Sequence, residues 1–171
     1  MNENKLLLLG LLRQQEMHGY RMFEFIDREL SICTDLKKPT AYFLLTQMEK
    51  DGWVRVEHER EGNRPPRKVY HLTEEGERAF WHLLEENLST FTPVFFPGDM
   101  GLSFLDQVER KRSVELLQQR RQALLQAIAM VEQVPSHSGT VQLVIEHQKS
   151  YLNNELKWLD DLISLLRNTA D

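Results

Sequence analysis

Cysteine is nearly absent: Cys33 is the only one in 171 residues. A single thiol excludes an intramolecular disulfide and any zinc site built from several cysteines, and it suits a reducing compartment. Cys33 itself reads as a small, half-buried hydrophobe. Long hydrophobic runs are missing too. The opening MNENKLLLLGLLRQQ sets a lysine before an apolar stretch, but that stretch lasts only from Leu6 to Leu12 and lacks a small-residue cleavage pattern. It is not read as a leader peptide, and no later segment approaches the ~18 apolar residues of a membrane span. The expectation is a cytoplasmic protein with no membrane partner.

Catalytic signatures are also missing. There is no glycine-rich phosphate loop, nucleophile elbow or paired His-Glu motif, so neither an enzyme nor a cofactor is expected. His18, His58, His71, His82, His137 and His147 show no metal-ligand spacing. An excess of positive charge is lacking as well. The formal net charge of −5 argues against binding nucleic acid over the whole surface. Its distribution is uneven, however. From Leu36 to Met48 the only charges are Lys37 and Lys38, and from Gly62 to Thr73 they are Arg64, Arg67 and Lys68, which leaves two basic windows free of acid.

The periodicity gives a short helix with Leu6, Leu9 and Leu12 on its apolar face, ending near residues 15–17, and a second from about Gly19 to Leu30 carrying Tyr20, Phe23 and Ile26. A third begins at Pro39, buries Leu44, Leu45 and Met48, and stops at Asp51-Gly52. WVRVEHER then alternates, with Val54, Val56 and His58 on one face and Trp53, Arg55 and Glu57 on the other, and RKVYHL alternates in turn. Between them, EGNRPP supplies Gly-Asn and a proline pair, which suits a hairpin loop at a sheet edge. Thr73 caps a fourth helix with Glu74 and Glu75 in its first turn.

Three helices, a hairpin and a further helix in that order are the layout of a winged helix-turn-helix. The fold class expected is mostly α with a small β-hairpin: an N-terminal winged helix-turn-helix (1–90), a linker rich in Pro, Gly and Phe (91–101) and a C-terminal antiparallel helical dimerisation region (102–171). In the last, Leu117, Leu124, Ile128 and Val131 form one seam. Ile145, Leu152, Leu156, Leu159, Ile163 and Leu166 form a heptad stripe. The two helices can cover each other, and pairing with a second chain through the stripe would bury more.

LLLLGLL followed by MHGYRMFEFI, then KKPTAYFLLTQMEKDGWV, then GNRPPRKVYHLTEEGERAF resemble the PadR family of bacterial transcriptional regulators, over about Leu6 to Phe80. The resemblance implies a homodimer built through C-terminal helices, double-stranded operator DNA as partner, and release by an effector that is often a small aromatic molecule. The chain departs from the family at Lys38-Pro39-Thr40, where a small or hydroxyl-bearing pair is usual. Pro39 removes a backbone N–H that could bind phosphate, and Lys37 and Lys38 can compensate with charge.

Thr40, Phe43, Gln47 and Lys50 recur at helical spacing opposite Leu45 and Met48. Thr40 and Phe43 are candidates for thymine methyls or phosphates, and Gln47 for adenine. Tyr42 and Tyr20 read either as phosphate contacts or as packed rings. Arg64, Arg67 and Lys68 are the cations of the wing, the hairpin tip that could reach phosphates or the minor groove. Trp81, Phe95, Phe96 and Trp158, with Phe91 and Tyr151, are candidates to line an effector pocket, with plain core packing as the alternative. The function expected is a homodimeric DNA-binding repressor on a palindromic site. A winged-helix protein-interaction module and a small-molecule sensor without DNA output are the competitors, and the acid-free basic windows disfavour both.

Overall fold

Burial explains the first helix, α1 (Asn2–Gln14), in which Leu8, Leu9, Leu11 and Leu12 all lose solvent contact. The computed structural model describes residues 2–14, 17–29, 34–59, 67–136 and 138–168. The chain divides into two compact units, residues 1–93 and 94–171. In the first unit α1 is followed by a two-residue strand β1 (Met17–His18), α2 (Gly19–Glu29), α3 (Lys38–Lys50), β2 (Val54–Glu59), β3 (Arg67–Leu72) and α4 (Glu74–Ser89). Among the described residues, no helix is long and apolar enough to cross a membrane.

The core of this unit gathers the leucines of α1, Met22, Phe23 and Ile26 of α2, and Ala41, Leu44, Leu45 and Met48 of α3, closed by Val54, Tyr70 and Leu83. The hairpin expected from the sequence is there, from Val54↔Leu72 to Glu59↔Arg67. The sheet nevertheless has three strands in the order β1-β3-β2, because Met17 and His18 pair with Tyr70 and Val69. Two residues are too few to show an alternating pattern, so β1 left no trace in the periodicity. The connection EGNRPP, with Arg64, lies outside the described residues.

Trp53 corrects the expected alternation. α3 begins at Lys38 with Pro39 next, after an extended Lys37, and ends on Gly52 at φ +75. There the N–H of Gly52 donates to Glu49 O (3.1 Å) and that of Trp53 to Met48 O (2.8 Å). This double bond pattern satisfies the last carbonyls of the helix and commonly brings the residue after the glycine onto the helix's apolar side. Trp53 accordingly packs against the core and takes the Lys5 ammonium at 4.8 Å from its ring, so the strand alternation starts at Val54.

The second unit contains a short α5 (Gly98–Leu102), a 3-10 turn (Leu105–Gln107), α6 (Arg110–Glu132) and α7 (Thr140–Asn168). α6 and α7 run antiparallel. Arg110 near the start of α6 hydrogen-bonds the carbonyl of Leu166 near the end of α7, and further along Arg120 Nη2 donates to Glu155 (2.6 Å) and Arg121 Nε to Asp160 (2.5 Å). Their shared core is thin: Leu117, Leu159 and Ile163, with Leu102, Val114, Leu124, Leu162 and Leu166 partly buried against it.

One ion pair in each unit makes stability depend on pH. Arg13 Nε donates to Glu77 Oε1 (2.8 Å), joining α1 to α4, and holds the Glu77 carboxyl below its ordinary 4.5 with help from the Trp81 indole N–H. Arg121 likewise holds Asp160 below 3.8. A carboxyl whose pKa is lower folded than unfolded stabilises the fold above its unfolded value and loses that effect as pH falls through the folded one. Both pairs are exposed, so the effects are small. The melting temperature of Glu77→Gln should lie slightly below that of the wild type at neutral pH, and thermal melts from about pH 7 down to about pH 3 should show the gap closing. A gap that widened in acid would refute the assignment.

Candidate nucleic-acid interface

The outward side of α3 follows from its buried side. With Ala41, Leu44, Leu45 and Met48 fully inside, winding at about 100° per residue points Pro39, Phe43, Thr46 and Lys50 away from the core, and all four are exposed. Phe43 is 54% exposed. Thr40 is exposed on one flank, while Gln47 is half-buried. Thr46 was missed by the row drawn from the sequence. That row tilts toward Leu44, and Gln47, three residues beyond Leu44, is half-covered for that reason.

Lys37 and Lys38 are exposed at the N-terminal end of the same helix, where the dipole favours an anion and Pro39 withdraws one N–H. Tyr42 packs its ring on Phe23, with centroids 4.6 Å apart, and keeps an exposed edge. Its ring also lies over the entrance of α2, where a Cβ on Gly19 would sit 3.2 Å from Tyr42 Cε1 and 3.1 Å from Tyr70 Cε2. Burial, reinforced by Tyr42 and Glu49, pushes the Tyr70 hydroxyl up to about 12, so a neutral phenol underlies this surface. Tyr20 is the second residue of α2, and its side chain lies outside the described set.

Strand register separates the two described wing cations. Arg67 stands opposite Glu59 and Lys68 opposite His58, and both cations are exposed. Alternation puts Lys68 on the face of Val56 and Tyr70, the face that carries the helices. Arg67 falls on the other face with Arg55, Glu57 and Glu59, where Arg55 pairs with Glu57 and Glu57 Oε2 lies 3.4 Å from His71 Nε2. Lys68 thus shares the α3 side of the sheet, while Arg67 stands among carboxylates.

The sequence profile of the transcriptional regulator PadR-like family matches residues 8–82, α1 through the first half of α4. Over these residues the chain is similar to the PadR-like family of transcriptional regulators. It is 22% identical over 179 residues to the negative transcriptional regulator PadR of Bacillus subtilis (strain 168), covering 95% of this chain and 96% of that one. The crystal structure of B. subtilis PadR in complex with operator DNA matches with a TM-score of 0.79 at 19% identity, over 95% of this chain and 98% of that one. The complex with p-coumaric acid matches at 0.76 and 18%, over 96% and 98%. At these identities the structural likeness establishes the fold.

In this PadR-like chain the expected effector residues fall in different places. Trp81 is engaged in the first unit, where its indole N–H donates to Glu77 Oε1 (2.8 Å) and its ring lies 4.8 Å from the Arg13 guanidinium. Phe95 is 91% exposed. Phe96 and Trp158 belong to one neighbourhood of the second unit. Phe96 stacks on Tyr151 (6.0 Å, 9°), and Trp158 lies 5.9 Å from the Arg120 guanidinium, which is held by Glu155. A Cβ on Gly98 would come within 2.7 Å of that guanidinium.

The stripe expected to meet a second chain is largely occupied within one. Ile145, Leu159 and Ile163 are buried, Leu152, Leu156 and Leu166 half-buried, and Leu159, Ile163 and Leu166 pack with Leu117 of α6. Heptad spacing covers the nearest apolar helix, which here is α6 of the same chain. The apolar groups left exposed on the pair include Leu116, Met130, Leu143 and Leu165.

Proposed function

We propose that the protein is a cytoplasmic homodimeric repressor that reads a palindromic operator through α3 and the wing, and that a small aromatic acid releases it. The observation that carries this reading is the pair of exposed lysines, Lys37 and Lys38, at the N-terminal end of α3 beside an outward phenylalanine, with Lys68 on the same side of the sheet. Lys37, Lys38 and Lys68 supply phosphate contacts, joined by the other wing cations, Arg64 and Arg67, and by Tyr20 and Tyr42. Thr40, Phe43 and Gln47 approach the groove. In this reading residues 1–90 are the head, 91–101 link it to the rest, and 102–171 dimerise through the exposed apolar side of α6 and α7, giving two heads for one site.

The negative regulator PadR, solved with operator DNA and with p-coumaric acid, supports the sign of regulation and the class of effector. An aromatic acid would compete with Glu155 for Arg120 while its ring joined Phe96, Tyr151 and Trp158. It would release the operator only by binding the non-DNA conformation more tightly than the DNA-competent one.

The test is binding to the DNA upstream of the protein's own gene and to scrambled DNA of equal length, at several salt concentrations. A dimer neutralising about six phosphates should give a log-log salt slope of about −5 on the native duplex. Lys37→Ala/Lys38→Ala/Lys68→Ala removes three of the five proposed cations of each protomer and should cut the magnitude of that slope by roughly half, with Arg64 and Arg67 remaining, and weaken low-salt binding by roughly a hundredfold or more. A folded dimer that binds neither DNA, or a triple variant with an unchanged slope, would overturn the assignment.

A further inference from the structure

The centre of the outward face of α3 has little with which to read hydrogen bonds. Pro39 offers neither a backbone N–H nor a polar side chain, and Phe43 presents a bare ring. Thr46 could donate, but its hydroxyl is already given to the carbonyl of Tyr42 at 2.9 Å, one turn back, which leaves its γ-methyl as the group facing outward. Lys50 ends the row with a charge. The polar candidates, Thr40 and Gln47, lie on a flank, and Gln47 is half-buried.

Base-edge recognition in the major groove uses paired donors and acceptors for most contacts, and the one apolar feature a base pair displays there is the thymine C5-methyl. A ring 54% exposed in the free protein, beside an outward-facing methyl, complements that feature and no other on the base edges. We propose that this protein selects its operator chiefly by thymine methyl groups packed against Phe43 and the Thr46 γ-methyl, rather than by hydrogen bonds to base edges. The proposal rests on the operator-binding reading above. It assigns Thr46 a role in specificity and makes Gln47 secondary.

The test begins with duplexes selected by the full-length protein from a random library. Each thymine beneath α3 is then exchanged for deoxyuridine, which deletes the methyl and leaves every hydrogen-bonding edge in place. Each exchange should weaken binding about fourfold, the equivalent of one methyl-sized group buried. Thr46→Ser keeps the hydroxyl that bonds Tyr42 and deletes only the methyl, and Phe43→Ala removes the ring. Both positions are exposed, so both variants should fold. Each should bind the thymine duplex less tightly and show a smaller loss on uracil exchange than the wild type.

The outcomes separate the two levels of the argument. Failure to enrich any duplex overturns operator binding, and the methyl reading with it. Three results overturn the methyl reading alone: enriched half-sites without thymine in the α3 footprint, no loss on exchange, or an equal loss in wild type and both variants, which would trace the effect to DNA shape.

Discussion

Gly76→Ala is expected to lower the melting temperature of the first unit by about 10–20 °C, corresponding to a loss of about 3 kcal/mol or so. Gly76 is the third residue of α4, and a Cβ there would stand 2.0 Å from the carbonyl oxygen of Trp53 and 2.7 Å from Leu72 Cδ1. The carbonyl cannot easily retreat. It accepts the N–H of Thr73 at 3.1 Å and lies 3.0 Å from the Thr73 hydroxyl, and that hydroxyl in turn accepts the Gly76 N–H at 3.0 Å. Trp53 is also the residue that closes the C-terminus of α3. One methyl would therefore strain the α3 stop, the start of β2 and the cap of α4 together, and the presentation of the basic end of α3 would go with them. Gly101→Ala, where an added Cβ meets nothing within 4 Å, is the control. A Gly76→Ala melt within about 2 °C of wild type would mean that the junction relaxes cheaply.

That junction also shows which parts of the fold could be read in advance. Thr73 followed by two glutamates, Pro39 at a helix start and Asp51-Gly52 at its end act within one turn of chain, so local sequence suffices to place α3 and α4. β1 and the inward turn of Trp53 are different in kind, because each is decided by a partner distant in sequence: Tyr70 and Val69 for the strand, the core for the indole. The outward row of α3 differs from the expected one at two positions, with Pro39 and Thr46 in place of Thr40 and Gln47, for a related reason. Ala41 is too small to announce itself as core, and Thr46 looks like any solvated threonine until its hydroxyl is seen bonded to Tyr42. The heptad stripe of α7 was legible as a stripe, but spacing alone does not say whether α6 or a second chain covers it.

Leu159→Ala tests that last point and should be the most damaging change in the second unit. Leu159 is fully buried in a cluster whose other buried members are Leu117 and Ile163, so the cavity left by truncation has few neighbours able to collapse into it. Leucine-to-alanine changes at such sites cost about 2–5 kcal/mol, and a core this thin has little to spare. The cluster around α1, α2 and α3 contains no residue of the helical pair. Hydrogen exchange should therefore quicken throughout α6 and α7 while the amides of α3 keep their protection. Operator affinity at low concentration should fall with the dimer, whereas a single head at high concentration would keep its weak, salt-dependent binding to any duplex. Leu143→Ala, at a position 63% exposed, should leave the protection of α6 and α7 intact and, if that face meets the second chain, raise the concentration needed for dimers. Uniform loss of protection across both units on Leu159→Ala would show instead that the two cores unfold as one.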